Sequence, residues 1–257
     1  MTFKHIISRD NSLFKQLKKL ADSSRERRKL GETLLDGAHL VETYLEVFGE
    51  PRLLIIPEGE STAEVTHLTQ QLADIPTVMF PTLMFQELAP VASPTGILAL
   101  VKTPSIAPPD APNFVLMLED IQDPGNLGSM LRTAAAAGVD AVYLSEGCTE
   151  AWSPKALRGG QGAQFVLPIV ERADLVDLAS NFDGQVLATT LRGDSIYKMD
   201  LTGPTAIAIG NEGNGLSVAM QKAASHQVTI PIADGVESLN AAAAASICLF
   251  ERVRQTL

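Results

Sequence analysis

The sequence predicts an α/β protein made of two domains, and three observations point to this fold class. In the second half of the chain, short apolar runs alternate with helix-like segments. The first half mixes the two less regularly, and a proline-rich stretch, TPSIAPPDAPN, lies between the halves at residues 103–113. Proline favours an extended backbone, which suits a linker. We therefore expect domains at residues 1–103 and 113–257, with a linker at 104–112.

The individual elements follow from the local patterns. In the first, smaller domain, helices are expected at residues 12–28 (basic) and 39–48, and strands at 52–56, 77–80 and 96–101. In the second domain, predicted strands lie at 113–119, 141–144, 185–190, 205–209 and 227–232, with helices at 126–138 and 239–253. Strands that alternate with helices are typical of a mostly parallel sheet.

The composition is that of an ordinary soluble protein, with 46% hydrophobic and 19% charged residues. No apolar run is long enough to cross a bilayer, and the N-terminal residues lack the apolar core of a secretion signal. Cys148 and Cys248 are too few for a disulfide framework. We expect a cytoplasmic protein with no membrane partner.

Charge is distributed unevenly along the chain. The net charge is −10, yet residues 1–30 contain nine Lys or Arg against three acids. A local basic face can still bind phosphates, because screening limits charge effects to about 10 Å. Charge alone leaves two interpretations open: a nucleic-acid-binding surface, or a solvated amphipathic helix.

Several common chemistries lack their sequence patterns. The chain contains no G-x-G-x-x-G dinucleotide motif, no P-loop and no G-x-S-x-G nucleophile elbow. The four histidines and two cysteines do not have the spacing of metal ligands, so no metal is expected.

Three segments remain that simple packing does not explain. The first, DPGNLGSMLRTAAAAG at 123–138, has Asn126 as a candidate helix cap and Arg132 about 120° further round the helix. The second, IGNEGNGLS at 209–217, exposes backbone groups around Gly210, and Glu212 makes a neutral or cationic ligand a better match than phosphate. A small-residue packing helix and a tight connecting turn are the plain alternatives.

The third segment, IPIADGVESLN at 230–240, precedes a run of alanines. Ser238 is a candidate cap for the closing helix, whose first turn would present Asn240. An ordinary alanine-rich helix is the alternative.

In this order, the three segments resemble the motifs of the SpoU (TrmH-type) class of SPOUT methyltransferases. The matching residues are NLGSMLRTAAAAG, IGNEGNGLS and IPIADGVESLN, and the resemblance covers residues 113–257. Residues 1–103, with ISRDNSLFKQLKKL and RRKLGETLLDGAHLVE, look more weakly like the substrate-binding domain that often precedes it, which is similar to a small ribosomal-protein fold. Asp36 and the stretch 158–162 depart from the family pattern.

The resemblance implies transfer of a methyl group from S-adenosylmethionine to a ribose 2′-hydroxyl in RNA, most often ribosomal RNA. A transfer RNA substrate, a silent RNA-binding homologue and, less fittingly, a flavin or nicotinamide oxidoreductase are the alternatives. It also implies a deep trefoil knot in the second domain and a homodimer.

The implied site residues fall into three groups. The catalytic group comprises Arg132, Asn126, Glu212, Asn240 and Ser238. The cofactor-binding group comprises Thr189, Thr190, Leu191, Gly210, Ile230 and Leu239. The basic first domain would bind RNA through Arg9, Lys15, Lys18, Arg27 and Arg28.

Overall fold

The computed structural model describes residues 3–89 and 95–257. The strands are β1 (Lys4–His5), β2 (Glu32–Asp36), β3 (Leu53–Pro57), β4 (Thr77–Phe80), β5 (Leu98–Lys102), β6 (Phe114–Leu118), β7 (Ala141–Leu144), β8 (Ile169–Val170), β9 (Gln185–Ser195), β10 (Thr205–Ile209) and β11 (His226–Thr229). The helices are α1 (Ser12–Asp22), α2 (Ser24–Leu30), α3 (Ala38–Phe48), α4 (Ala63–Gln71), α5 (Thr82–Leu88), α6 (Pro124–Ala136), α7 (Pro154–Gly160), α8 (Leu175–Asn181), α9 (Val218–Ala223) and α10 (Ala241–Thr256).

The chain forms two compact units. The first comprises residues up to Pro104 together with Trp152–Phe165, and the second comprises Ser105–Ala151 and Val166–Leu257. The first unit has a mixed sheet in the order β1-β4-β3-β5-β2, in which β5 runs antiparallel to both of its neighbours. Its core includes apolar side chains from α1 and α5, with the rings of Phe14 and Phe80 meeting edge to face at 5.4 Å.

The prediction of one basic helix near the N-terminus is wrong, because the chain leaves the helix at Ser23. This residue has an extended backbone and caps α2 by accepting a hydrogen bond from Glu26 N. The guanidinium of Arg27 is buried and donates to the main-chain oxygens of Leu20 and Ala21 at 2.5 and 3.0 Å. Arg27 thereby satisfies carbonyl groups that the end of α1 leaves free.

A segment from the second half of the sequence completes the first unit. Thr33 of β2 donates its hydroxyl to the main-chain oxygen of Trp152 at 2.7 Å. Arg158 Nη1 donates to the fully buried Asp36 carboxylate at 2.6 Å. Residues 152–165 are therefore an integral part of the first unit's structure.

The second unit has a parallel sheet in the order β11-β9-β10-β6-β7-β8, which confirms the predicted α/β fold with a parallel sheet. The strands β7 and β10 have the predicted bounds, whereas β9 runs on to Ser195 and β11 stops at Thr229. The central strands are buried along their whole length. Such strands are near-continuous apolar runs, which explains why they are readable from sequence.

Both predicted helix caps in this unit are wrong. Asp123, not Asn126, caps α6, accepting hydrogen bonds from Gly125 N at 2.6 Å and Asn126 N at 3.0 Å. At α10 the cap is Asn240 and not Ser238, and its oxygen accepts from the first free N–H groups of the helix. These shifts leave the Asn126 amide free for a tertiary contact and bring Asn240 to the start of α10.

Candidate functional site

Three segments that are far apart in the sequence are joined by side-chain hydrogen bonds in the second unit. Glu212 Oε1, after β10, accepts a hydrogen bond from Asn126 Nδ2 at 3.0 Å. Asn126 Oδ1, in the first turn of α6, accepts one from Asn240 Nδ2 at 3.1 Å. Three of the predicted catalytic residues thus form one hydrogen-bonded chain that ends at the cap of α10.

The Glu212 carboxylate is held in its charged form. Glu212 is exposed, but the atoms packed around its carboxyl partly desolvate it, which raises its pKa. Hydrogen bonds from Asn126 and from backbone N–H groups, including that of Gln122, together outweigh this effect. The pKa of Glu212 therefore lies below its ordinary value, and the site carries a negative charge at neutral pH.

The glycine-rich turn that carries Glu212 is closely packed against itself. A Cβ atom on Gly210 would lie 2.2 Å from the Gly215 carbonyl carbon and from Leu216 N, so a side chain has no room there. The Asn211 side chain accepts hydrogen bonds from two N–H groups of the turn and donates to Asp120 O at 2.8 Å. The turn is therefore held in one conformation.

Arg132 lies on the exposed side of α6 and is not part of the hydrogen-bonded chain. It follows Asn126 by six residues, which rotates it by about 120° around the helix axis. Across residues 3–89 and 95–257, its guanidinium has no hydrogen bond or ion pair. The adjacent Thr133 hydroxyl lies 3.3 Å from that of Ser246 on α10. Arg132 is thus a cation whose donors are available to a ligand.

The remaining predicted catalytic residue, Ser238, lies in the exposed loop between β11 and α10. Among the described residues its hydroxyl has no hydrogen-bond partner. Two predicted cofactor-binding residues occupy this same loop: Ile230 is half-buried and Leu239 is exposed.

Three further predicted cofactor-binding residues, Thr189, Thr190 and Leu191, lie in β9 where its pairing with β11 shifts register. The pairing of β9 with β11 jumps from residue 188 to residue 194 across a single step of β11. Thr189 donates to Ala208 O at 2.8 Å, Thr190 donates to Arg192 O, and Leu191 is 71% exposed. The strand was expected to end at Thr190, but it continues to Ser195, and an irregularity in its register leaves these residues unpaired with β11.

Sequence reasoning missed several residues that support the site. Gln122 donates its backbone N–H to Glu212 and its side-chain amide to Asp120 O and Gly147 O. Asn211 fixes the glycine-rich turn by donating a side-chain hydrogen bond to Asp120 O. Asn211 could have been identified from the sequence, because it directly precedes Glu212 in the glycine-rich segment. No local pattern marks Gln122 as a residue that supports the site.

The predicted RNA-binding cations of the first unit differ in availability. Three of them form surface ion pairs: Arg9 with Glu87, Lys15 with Asp10, and Lys18 with Asp22. Arg28 is exposed and donates to Ser24 Oγ at 3.3 Å. Arg27 corrects the prediction, because its buried guanidinium is directed at main-chain oxygens and is not presented to solvent.

The described part of the chain contains neither a candidate membrane span nor a candidate metal site. None of its helices is long and apolar enough to span a bilayer. Within residues 3–89 and 95–257, no three His, Cys, Asp or Glu side chains are grouped so that they could hold a metal ion.

Comparison with known proteins gives consistent matches. A model of the SpoU rRNA methylase family matches residues 113–250. The chain is 33% identical to the 23S rRNA (guanosine(2553)-2′-O)-methyltransferase RlmP of Bacillus subtilis, over 96% of this chain and 98% of that protein. It is also 33% identical to an uncharacterized tRNA/rRNA methyltransferase of Synechocystis sp., over 97% of this chain and 93% of that one. The crystal structure of the SpoU methyltransferase AviRb from Streptomyces viridochromogenes in complex with AdoMet aligns with a TM-score of 0.82 at 27% identity, covering 95% of this chain and 98% of that chain.

Proposed function

Because the chain belongs to the SpoU rRNA methylase family, we propose that it transfers the methyl group of S-adenosylmethionine to a ribose 2′-hydroxyl in ribosomal RNA. The observation that carries this proposal is the hydrogen-bonded chain of Glu212, Asn126 and Asn240, which unites all three motif segments at one site. RlmP is named as a 23S rRNA 2′-O-methyltransferase, and AviRb was solved with AdoMet. RlmP supports the acceptor in this proposal, and AviRb supports the cofactor.

The residues present fit S-adenosylmethionine better than a phosphate-bearing cofactor. The turn from 210 to 217 contains Glu212 and no Lys or Arg, which suits a cationic sulfonium. We assign binding of the cofactor to six residues: Thr189, Thr190, Leu191, Gly210, Ile230 and Leu239. Of these, Leu191 and Leu239 offer exposed apolar side chains for the adenine ring. When bound, the cofactor supplies a methyl group activated by the positively charged sulfur.

The protein's own task is to align the acceptor and to manage its proton. The 2′-oxygen attacks the methyl carbon as the carbon–sulfur bond breaks, and the hydroxyl proton must leave. A guanidinium remains charged at neutral pH and binds phosphate bidentately. Arg132 therefore grips the neighbouring RNA phosphate and orients the 2′-hydroxyl, whose proton passes to a phosphate oxygen. Ser238 contacts the ribose.

Asn126, Glu212 and Asn240 are positioning residues in this scheme. They do not touch Arg132 directly, but they fix the starts of α6 and α10 relative to the glycine-rich turn. The ribose is held against this fixed surface.

Further parts of the proposal concern the whole chain. The deep trefoil knot of the family lies within residues 113–257, residues 1–103 bind RNA as part of the first unit, and residues 104–112 link the two units. The chain forms a homodimer through α6 and α10, and α10 supports this with an exposed face that includes Ala243 and Phe250. The free cysteines Cys148 and Cys248 accord with a cytoplasmic location.

The test is methyl transfer from labelled S-adenosylmethionine to ribosomal RNA purified from cells that lack the gene, with the modified ribose located by mass spectrometry. We expect Arg132→Ala to reduce kcat by about 100-fold or more, the scale of losing one transition-state contact. Its affinity for S-adenosylmethionine should stay within about twofold of the wild type.

Arg172→Ala is the matched control, because Arg172 is exposed and its one ion pair among the described residues is with the surface Glu146. Unchanged turnover in Arg132→Ala would remove Arg132 from the mechanism. A wild-type protein that binds S-adenosylmethionine but never methylates ribosomal RNA would contradict the proposed function.

A further inference from the structure

A cavity of about 440 Å³ lies in the second unit at the carboxyl ends of β6 and β10. The strands β6 and β10 are neighbours in the sheet. From β6 the chain continues to β7 on one side of this pair, and from β10 it continues to β11 on the other side. The strand order therefore reverses between them. A crevice at such a reversal is the commonest place for a ligand in an open parallel sheet.

The walls of this cavity are held in place before any ligand binds. Glu119, directly after β6, accepts hydrogen bonds from Ser217 N and Oγ at 2.6 and 2.8 Å. The side-chain amides of Gln122 and Asn211 both donate hydrogen bonds to the main-chain oxygen of Asp120, at 3.0 and 2.8 Å. A preformed cavity costs little ordering entropy when a ligand enters.

One lining side chain is left with its hydrogen-bonding groups unused. Asn214 lines the cavity, and its side-chain amide makes no hydrogen bond among the described residues. The side chains of Glu119, Gln122 and Asn211 all make hydrogen bonds there. A free amide offers a donor and an acceptor side by side. The edge of a nucleobase presents the same pair of functions.

The charge of the lining selects against phosphate. Two carboxylates, Glu119 and Asp120, line the cavity, and none of its described lining residues is Lys or Arg. The volume is sufficient for a single heteroaromatic ring system. A neutral base fits this chemistry better than a backbone phosphate or an anionic cofactor.

The cavity adjoins the positioning residues directly. The backbone N–H of Gln122, a lining residue, donates to Glu212 Oε2 at 3.4 Å, and Asn126 binds the other oxygen of that carboxylate. A ribose held at these residues would lie beside the cavity, within reach for its base.

We propose that the cavity receives the unstacked base of the nucleotide that is methylated, and that the Asn214 amide hydrogen-bonds to the edge of that base. The inference rests on the proposed function and deepens it, because it assigns a subsite for the target base. Specific RNA readers commonly accept bases that have left their stack. Asn214 is then a specificity-determining residue and not part of the methyl-transfer chemistry.

The test compares Asn214→Ala with Asn113→Ala, which removes an exposed amide at the opposite, amino end of β6. With ribosomal RNA from cells lacking the gene, Asn214→Ala should lower kcat/KM about tenfold, mainly through KM, as expected for one lost hydrogen bond to a base. Asn113→Ala should match the wild type. Calorimetry should show unchanged S-adenosylmethionine affinity in both variants.

Nuclear magnetic resonance with free guanosine, uridine, adenosine and cytidine gives a second readout that does not require turnover. A nucleoside that enters the cavity should shift the Asn214 side-chain amide resonances in the wild type. Equal kcat/KM for the two variants, or weakened S-adenosylmethionine binding in Asn214→Ala, would overturn the assignment. Nucleoside binding at Asn214 in a wild type that methylates no RNA would instead overturn the proposed function and leave the cavity's ligand class standing.

Discussion

The side-chain amide of Asn126 can satisfy its neighbours in only one orientation. A carboxylate accepts hydrogen bonds but cannot donate them, so the Asn126 nitrogen must face Glu212. Its oxygen is then left to accept from Asn240. Neither an aspartate nor an aliphatic side chain can serve both partners, which explains why asparagine occupies this position.

This orientation predicts the effect of Asn126→Asp. The change places two carboxylates where a 3.0 Å hydrogen bond stood, so stability at neutral pH should fall by about 1–2 kcal/mol. Asn126→Ala, which adds no charge, should cost less. Urea unfolding at pH 7 measures both, with Gln16→Glu as a control that adds a carboxylate at an exposed position. Equal losses for the Asp and Ala variants would refute the orientation argument.

The lowered pKa of Glu212 predicts a pH dependence. A carboxyl with a folded-state pKa below its unfolded value, about 4.3, adds stability above that pH and loses it as the pH falls through the folded value. The free-energy difference between wild type and Glu212→Gln should therefore be constant from pH 8 to about pH 5 and should shrink below about pH 4. Denaturant unfolding across this range is the measurement, with the exposed Glu60→Gln as control. A difference that grew towards low pH would have the wrong sign.

At the scale of elements, the turn after β10 predicts opposite outcomes for two glycines. A Cβ on Gly210 would collide with backbone atoms at 2.2 Å, whereas a Cβ on Gly213 meets only the Asn211 side chain at 3.5 Å. Gly210→Ala should cost about 2 kcal/mol or more and should weaken S-adenosylmethionine binding. Gly213→Ala should stay within about 1 kcal/mol. Thermal unfolding and calorimetry would show this, and equal behaviour of the two variants would argue against a rigid turn.

The two basic helices of the first unit predict unequal contributions to RNA binding. Lys15 and Lys18 on α1 are neutralised by acids, whereas Arg25 and Lys29 on α2 are exposed and have no partner among the described residues. The double variant Arg25→Ala/Lys29→Ala should reduce the slope of log affinity against log salt by about 1–2. Lys15→Ala/Lys18→Ala should change it less. Filter binding from about 50 to 200 mM salt measures the slopes; a larger change in the α1 variant would reverse the assignment.

The sequence predicted strands better than helix ends, and the reason is physical. The strand β10 is buried at every position and apolar after Thr205, so its limits are visible locally. The caps of α6 and α10 were misplaced because Asn126 and Ser238 satisfy the local rule for a cap equally well. In the folded chain the Asn126 side chain instead hydrogen-bonds to Glu212, 86 residues away, and to Asn240, contacts that no local pattern reveals. Arg27 was misjudged for the same reason, since only the α1–α2 corner decides whether it is buried.

At the scale of the whole molecule, the first unit is discontinuous in sequence. The Asp36 carboxylate is fully buried and is matched by Arg158, which lies 122 residues further along the chain. A buried carboxylate without its partner costs about 3–5 kcal/mol. The linker predicted from proline content marks one point where the chain passes from the first unit to the second. Composition gave no sign that Trp152–Phe165 belongs to the first unit.

A fragment of residues 1–104 is therefore expected to lack a cooperative unfolding transition. Asp36→Asn in the same fragment should recover part of the transition, because a neutral amide is less costly to leave unpaired. Circular dichroism during urea titration measures both. A cooperative wild-type fragment as stable as the full chain would show that residues 152–165 contribute nothing to this unit.

The same discontinuity sets an order of events during protein synthesis. The ribosome releases the chain from its N-terminus, and β2 emerges long before Arg158 does. When residues 152–165 finally appear, β6, α6 and β7 have already been made. Domains commonly complete folding one after another as they emerge, but here the first unit has to wait until residues 105–151 of the second unit have been made. The nascent chain must carry an unfinished first unit while the first part of the second unit is being made, and a translational pause before residue 165 would prolong the exposure of the first unit to chaperones and proteases.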